Sequence, residues 1–201
     1  KQDSAVRAQV RQGKIGALLK ANGAALNRSL QTEAVETRRL GIPLMFHEDV
    51  IHGYRTILPI PLGESCCWDR DMVRRGAALA AEEAAAASIQ LTYAPMVDIS
   101  TDPRWGRIME TSGEDAMLCS ALAEARVKGF QGDDLKDKGT VMACVKHFAG
   151  YAALRGGRDY QNTDFSLREL QEIYLPPYKA AIEAGVGSVM CSYTTYDGEP
   201  V

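Results

Sequence analysis

The eleven residues V-M-A-C-V-K-H-F-A-G-Y, Val141 to Tyr151, decide how the rest of the chain is read. Val141 to Val145 is apolar and rich in β-branched side chains, the composition of a strand buried on both faces of a sheet. Lys146 and His147 follow at once, so the strand delivers two cationic donors to the rim of that sheet. Taken alone, Lys146 reads equally as a rim lysine and His147 as a satisfied histidine. The rest of the chain has to say whether this rim is a site.

Outward from that strand, short apolar runs alternate with longer helical patterns. Gly16 to Lys20 reads as a strand, followed by a polar helix to about Leu40 and a second strand from Pro43 to His47. Trp68 to about Gln90 is an alanine-rich helix containing A-A-L-A-A-E-E-A-A-A-A, a composition of high helix propensity. Leu91 to Val97 is the third strand, Glu114 to about Gly129 the next helix, and Val141 to Val145 the fourth strand. Ser166 and Glu169 make a capping box that opens a helix, interrupted by Pro176 and Pro177 before it ends near Gly185. Gly187 to Tyr193 is the fifth strand.

This alternation implies an α/β fold with a parallel sheet, either doubly wound or a (β/α)8 barrel. A dinucleotide fold would place G-x-G-x-x-G after the first strand, and Lys20-Ala21-Asn22-Gly23 does not supply it. The expected fold is therefore TIM-barrel-like. Such barrels take about 250 residues, so a chain of 201 should hold five or six of the eight β/α units. No linker or internal repeat marks a domain boundary, and residues 1–201 read as one partial barrel domain.

Composition narrows the function. With 46% hydrophobic residues and a formal net charge of −3, the chain can bury a core and shows no basic surplus. Nucleic acid is not an expected partner. No apolar stretch reaches the roughly 18 residues of a membrane span. The five cysteines, Cys66, Cys67, Cys119, Cys144 and Cys191, have no C-x-x-C spacing and suggest neither a disulfide framework nor a zinc site. Cys144 and Cys191 lie in apolar runs and are expected to pack as small hydrophobes. The chain begins at Lys1 without a signal segment, which reads as a trimmed start.

In parallel barrels the chemistry collects at the C-terminal strand ends. His47, Glu48 and Asp49 lie at the end of the second strand with His52 beyond. Asp98 ends the third, Lys146 and His147 the fourth, and Met190 and Tyr193 the fifth. All three histidines of the chain fall in this set. The loop Thr101-Asp102-Pro103-Arg104-Trp105-Gly106-Arg107 adds two guanidinium forks, suited to vicinal hydroxyls or carboxylates, and an indole suited to the C–H face of a sugar. Arg104 is the better ligand candidate, and Arg107 is expected to be clamped by an acidic residue.

The segments G-I-P-L-M-F-H-E-D-V-I-H-G (Gly41 to Gly53), A-P-M-V-D-I-S-T-D-P-R-W-G-R (Ala94 to Arg107), G-E-D (Gly113 to Asp115), V-K-H-F-A-G-Y (Val145 to Tyr151) and S-V-M-C-S-Y (Ser188 to Tyr193) closely resemble glycoside hydrolase family 3, in particular its bacterial β-glucosidase branch. The five motifs keep the family's order and cover nearly the whole chain from about Ile15. The resemblance implies a retaining, exo-acting β-glycosidase that removes terminal non-reducing β-D-glucosyl residues from a β-linked oligosaccharide or glucoside, without a cofactor. It further implies that Asp49, Arg104, Lys146 and His147 bind hydroxyls of the sugar in subsite −1, that Met190 and Tyr193 line the same pocket, and that a cis peptide lies around Lys146-His147. Adjacent residues of a regular strand point to opposite faces, so both side chains can meet one sugar only if the backbone is irregular between Lys146 and Phe148.

The family's nucleophile belongs to an S-D motif on a later strand, and its acid/base residue comes later still. Ser112-Gly113-Glu114-Asp115, which opens a helix, and Tyr196-Asp197-Gly198, which reads as a turn, are not that motif, so neither residue is matched up to Val201 and no catalytic carboxylate is assigned here. The expectation is a segment that supplies sugar-binding residues to a larger enzyme, inactive by itself, with open sheet edges. K-H-F-A-G-Y-A, where the N-acetylglucosaminidase branch reads K-H-F-P-G-H-G, favours a glucosidase or a xylosidase. A periplasmic or secreted location is expected. Three further readings are a non-catalytic sugar-binding fragment, a Schiff-base aldolase using Lys146, and a metal hydrolase using His47, Glu48, Asp49, His52 and His147, whose spacing departs from H-E-x-x-H.

Overall fold

Buried small side chains set the spacing of the helices, and the order of the strands sets the fold. The computed structural model describes residues 2–21, 23–163 and 165–200. The expectations that rest on Lys1, on Asn22 in the 20–23 turn and on Val201 lie outside the described residues. The elements run α1 (Gln2–Arg11), β1 (Ala17–Leu19), α2 (Ala24–Thr37), β2 (Met45–Glu48), α3 (Pro61–Ser65), α4 (Arg70–Ala86), β3 (Leu91–Thr92), α5 (Ala116–Gln131), β4 (Met142–Phe148), α6 (Leu167–Glu169), α7 (Pro176–Glu183), β5 (Ser188–Cys191), β6 (Thr195–Tyr196) and β7 (Glu199–Pro200).

β1 to β5 form one parallel sheet in the order 1-2-3-4-5. Each crossover leads to the next neighbour, so the order never reverses and there is no switch point of the kind that defines doubly wound sheets. The sheet curls as an open half-barrel with its helices outside, an incomplete TIM-barrel-like fold. β6 and β7 form a separate antiparallel hairpin. Asp197 (φ 51°) and Gly198 (φ 82°) supply the two left-handed residues that its tight turn requires, as the sequence Tyr196-Asp197-Gly198 suggests.

The boundaries moved where local chemistry intervened. The alanine-rich helix starts at Arg70 rather than Trp68, because the Asp69 carboxylate caps it by accepting from the Met72 amide at 2.9 Å. β3 is two residues long instead of the seven of Leu91 to Val97, since Pro95 has no N–H to donate to a ladder. The chain nevertheless stays beside β4. The Cys144 and Lys146 amides donate to the carbonyls of Ala94 and Pro95 at 2.9 and 3.1 Å, and Met96 bridges Lys146. The capping box of Ser166 and Glu169 is present, and the helical run it opens, π-type over Leu170–Tyr174, is interrupted at Leu175 before Pro176 and Pro177 start α7. Proline is tolerated there because first-turn amides have no helical acceptor. Three elements, α1, α3 and the β6–β7 hairpin, go beyond the strands and helices read from sequence.

The main core lies between α4, α5, α7 and the inner strands, with Ala77, Ala80, Ala81 and Ala84 facing Ala123, Val127 and Phe130. At the α4–α5 crossing, a Cβ on Gly129 would sit 2.3 Å from the Arg74 carbonyl oxygen and 2.6 Å from the Ala77 Cβ. Only hydrogen fits. Beside this contact Arg126 is buried and bridges α3 to α5, donating to Glu64 at 2.7 Å and to Ser112 at 2.8 Å. Cys119 and Cys144 are buried as small apolar groups, and burial pushes the Cys119 thiol up to about 12. Cys191, expected to be buried as well, is exposed. β5 has one strand neighbour, and its alternate side chains Val189 and Cys191 find no cover.

Gly129→Ala is expected to destabilise the fold by about 1–3 kcal/mol, the range for forcing extra carbon into a tight contact. The urea midpoint measures it, and an unchanged midpoint would show that the α4–α5 contact is looser than described.

Candidate active site at the strand ends

The C-terminal end of β4 is held by two carboxylates from its neighbours. Lys146 Nζ lies 3.0 Å from Asp49 Oδ1, just past the end of β2; the lysine side chain is 4% exposed and the aspartate 41%. His147 Nδ1 lies 2.8 Å from Asp98 Oδ2, which also accepts from the His147 main-chain N–H at 3.1 Å. The Asp98 side chain is wholly buried. The peptide bonds Lys146-His147 and Phe148-Ala149 are both cis, and the β4–β5 register shifts between Lys146 and Phe148. The irregularity expected from the sequence is present where it was expected. Of these adjacent residues of β4, Lys146 meets the half-exposed carboxylate of Asp49 and His147 the sealed carboxylate of Asp98.

Around this pair, Met190 stands opposite Lys146 in the β4–β5 register. An open cleft of about 280 Å³ beside Asp49 is lined by Ile51, His52, Gly53, Met109 and Glu110, so the loop after β2 meets the loop after β3. Rings continue from His147 through Tyr151 (centroids 4.8 Å apart) and Tyr160 (6.5 Å) to Tyr193 (6.1 Å). Tyr193 is 80% exposed and ends this row of rings.

Arg104 projects from the next loop with its side chain 71% exposed. Its fork grips Asp102, Nε to Oδ1 at 2.9 Å and Nη2 to Oδ2 at 2.6 Å. That grip holds the Asp102 carboxyl far below its ordinary range, at about 2. Gly157, at φ +66°, backs this loop: a Cβ there would come within 2.8 Å of the Arg104 Cβ and 3.0 Å of its carbonyl carbon. No direct hydrogen bond links Arg104 to Asp49, Lys146 or His147 among the described residues. Arg107 is clamped by Glu110 at 2.7 and 2.9 Å, as expected. Trp105 is a correction. The indole is 1% exposed, packed on Met96, Tyr151 and Leu154 and donating to Asp159 at 3.2 Å, so it supports the loop from below and offers no sugar platform. A large apolar ring between two tethered arginines gains more from burial than from exposure.

The three histidines go separate ways. His47 Nδ1 meets the Tyr93 hydroxyl at 2.8 Å, and burial lowers its pKa against the opposing pull of Glu48 and Asp49. His52 Nδ1 lies 3.2 Å from the Leu58 carbonyl oxygen and ties down its own loop. Among the described residues, no three His, Cys, Asp or Glu side chains are grouped to hold a metal ion. Tyr178 is the participant sequence reasoning missed. From α7, far along the chain, its buried hydroxyl reaches the His147 carbonyl at 2.6 Å and Asp98 Oδ1 at 3.2 Å. Nothing in a lone helical tyrosine signals that reach.

Comparison with known proteins identifies the family. The profile of the glycosyl hydrolase family 3 N-terminal domain matches residues 1–201. A periplasmic β-glucosidase of Salmonella typhimurium is 42% identical over 196 residues, covering 98% of this chain and 26% of the relative. A β-xylosidase of Formosa agariphila is 36% identical over 181 residues, covering 84% of this chain and 25% of the relative. The crystal structure of a Listeria innocua β-glucosidase in complex with glucose superposes with a TM-score of 0.90 at 46% identity, over 92% of this chain and 26% of that one. The chain thus spans about a quarter of the length of these relatives. With its half-barrel, its ordered motifs and a profile match along its full length, the chain belongs to the N-terminal domain of glycosyl hydrolase family 3.

Proposed function

We propose that residues 1–201 are part of the N-terminal barrel domain of a retaining, exo-acting β-glucosidase, and that Asp49, Arg104, Lys146, His147, Met190 and Tyr193 surround the sugar in subsite −1. The observation that carries this reading is the Lys146–Asp49 pair at the mouth of the half-barrel, beside a histidine anchored by a buried aspartate. A carboxylate accepts hydroxyl protons, and ammonium and guanidinium groups donate to hydroxyl lone pairs. Such charge-assisted bonds are about twice as strong as neutral ones, and those to the 2-hydroxyl tighten as positive charge develops on the ring. Met190 adds an apolar wall opposite Lys146. In this reading the nucleophile and the acid/base carboxylates, about 5 to 5.5 Å apart in retaining enzymes, come from other parts of the enzyme. The periplasmic Salmonella relative supports a periplasmic or secreted location.

The test is hydrolysis of p-nitrophenyl glycosides by the polypeptide of the complete reading frame. The β-D-glucoside is expected to be turned over with retention of configuration, ahead of the β-D-xyloside and well ahead of the N-acetyl-β-D-glucosaminide. Preference for the xyloside would favour the second reading, a β-xylosidase, which the Formosa relative supports; absence of turnover on all three would overturn both.

Lys146→Met is expected to lower kcat/KM by about a hundredfold or more, since it removes a charge-assisted donor and leaves Asp49 unpaired. Gly157→Ala should raise KM more than it lowers kcat, by displacing the backbone of Arg104 without touching its guanidinium; equal kinetics would show that Arg104 does not hold substrate. For Asp102 the sign follows from its lowered pKa. Its pairing with Arg104 is fully present above the ordinary carboxylate value and is lost only as pH falls through about 2. Asp102→Asn should therefore raise KM by a similar factor at every pH from 4 to 7. An effect that fades at pH 4 would contradict this.

A further inference from the structure

Asp98 is a carboxylate sealed inside the protein, and its contacts specify the state of the histidine beside it. Oδ2 accepts from the His147 main-chain N–H at 3.1 Å. A peptide N–H can only donate, so Oδ2 acts as an acceptor. An ionised carboxylate is acceptor-only, so against it His147 Nδ1, 2.8 Å from the same oxygen, is the nitrogen that carries a proton. Tyr178 completes the enclosure: its hydroxyl contacts Oδ1 at 3.2 Å and the His147 carbonyl at 2.6 Å, from a helix packed behind β4. The Tyr151 ring stands edge-on to the imidazole at 4.8 Å. Backbone, Nδ1 and one ring face of His147 are thereby fixed from three elements.

The other ring nitrogen is left for a ligand. Nε2 has no hydrogen-bond partner among the described residues, and it is not one of their fully buried side-chain atoms without a hydrogen bond, which are Asn27 Oδ1 and Glu33 Oε2, the latter ion-paired with Arg7 at 3.4 Å. It therefore reaches solvent. In a neutral imidazole protonated at Nδ1, Nε2 is a bare acceptor. Lys146 and Arg104 can only donate, and Asp49 already gives Oδ1 to Lys146. A second acceptor would complete the recognition of a polyol whose hydroxyls each donate as well as accept.

We propose that Asp98, backed by Tyr178, is a positioning residue that locks His147 in its Nδ1–H tautomer, so that Nε2 accepts a proton from one hydroxyl of the glycosyl residue in subsite −1. The assignment of that hydroxyl to a sugar rests on the β-glucosidase reading above; the tautomer does not.

The experiment uses the complete enzyme labelled with ¹⁵N-histidine. Long-range ¹H–¹⁵N spectra at pH 8 report the tautomer, and His147→Gln identifies the signal. The Nδ1–H form is expected in the wild type and in Asp98→Asn, whose amide oxygen can still accept from both N–H groups. Asp98→Leu should release the tautomer. In kinetics with p-nitrophenyl β-D-glucoside and its four monodeoxy analogues, Asp98→Leu should raise KM about tenfold, one good hydrogen bond. It should also abolish the penalty for removing one particular hydroxyl while leaving the other three penalties intact. A wild-type His147 protonated at Nε2, alone or with Nδ1, overturns the proposal. So does a uniform rise in KM across all five substrates, the signature of a merely structural role. If Asp98→Leu does not fold, the wild-type spectrum decides the tautomer, and Tyr178→Phe, which keeps the ring, is expected to weaken the same single hydroxyl contact by a smaller factor. An enzyme that hydrolyses none of these substrates while showing the Nδ1–H form would refute the glucosidase reading and leave the tautomer lock standing.

Discussion

Two carboxylates hold the end of β4, and much of the structure can be understood as the means of bringing them there. Lys146 and His147 are adjacent in sequence, nearly buried, and unable to stay so without acceptors, because an unpaired charge or donor in an apolar interior is strongly unfavourable. Asp49 arrives from the end of β2 and Asp98 from the end of the third strand segment. Parallel strands in consecutive order make this possible: every strand end of the half-barrel lies on the same rim, and neighbours in sequence are neighbours in space.

The helix layer serves the same rim from behind. The alanine face of α4 and Gly129 of α5 let two helices approach closely, and α7 packs beside α5 against β4. Tyr178 can then reach His147 and Asp98 through the wall of the sheet. Trp105 does comparable work in the loop after β3. Buried against Tyr151, it anchors a segment whose two arginines are turned to Asp102 and Glu110. Rigid apolar anchors beneath, charged groups above, is an arrangement suited to a site that must present fixed hydrogen-bond geometry to a polar ligand.

Legibility in the sequence followed the range of the forces involved. The five strands, the alanine helix, the Ser166 capping box and the turn at Tyr196-Asp197-Gly198 were all readable, because propensity, periodicity and local capping act over a few residues. Two errors occurred where one residue overrode a pattern, Pro95 cutting β3 short and Asp69 moving a helix start, and a third where β5, with one strand neighbour among the described residues, left Cys191 uncovered. Trp105 misled because an indole between arginines has the same composition whether it faces a ligand or the core.

By itself the sequence determined the fold class and the membership of the rim. Ordered motifs and apolar runs specify which residues reach the strand ends, since a parallel strand has one end for chemistry and its neighbours share it. Only the tertiary structure decided what each rim residue does there. The pairing of Lys146 with Asp49, of His147 with Asp98, and the arrival of Tyr178 from α7 join residues 97, 49 and 31 positions apart. Partners at such separations are selected by packing and desolvation in three dimensions, which no local pattern encodes.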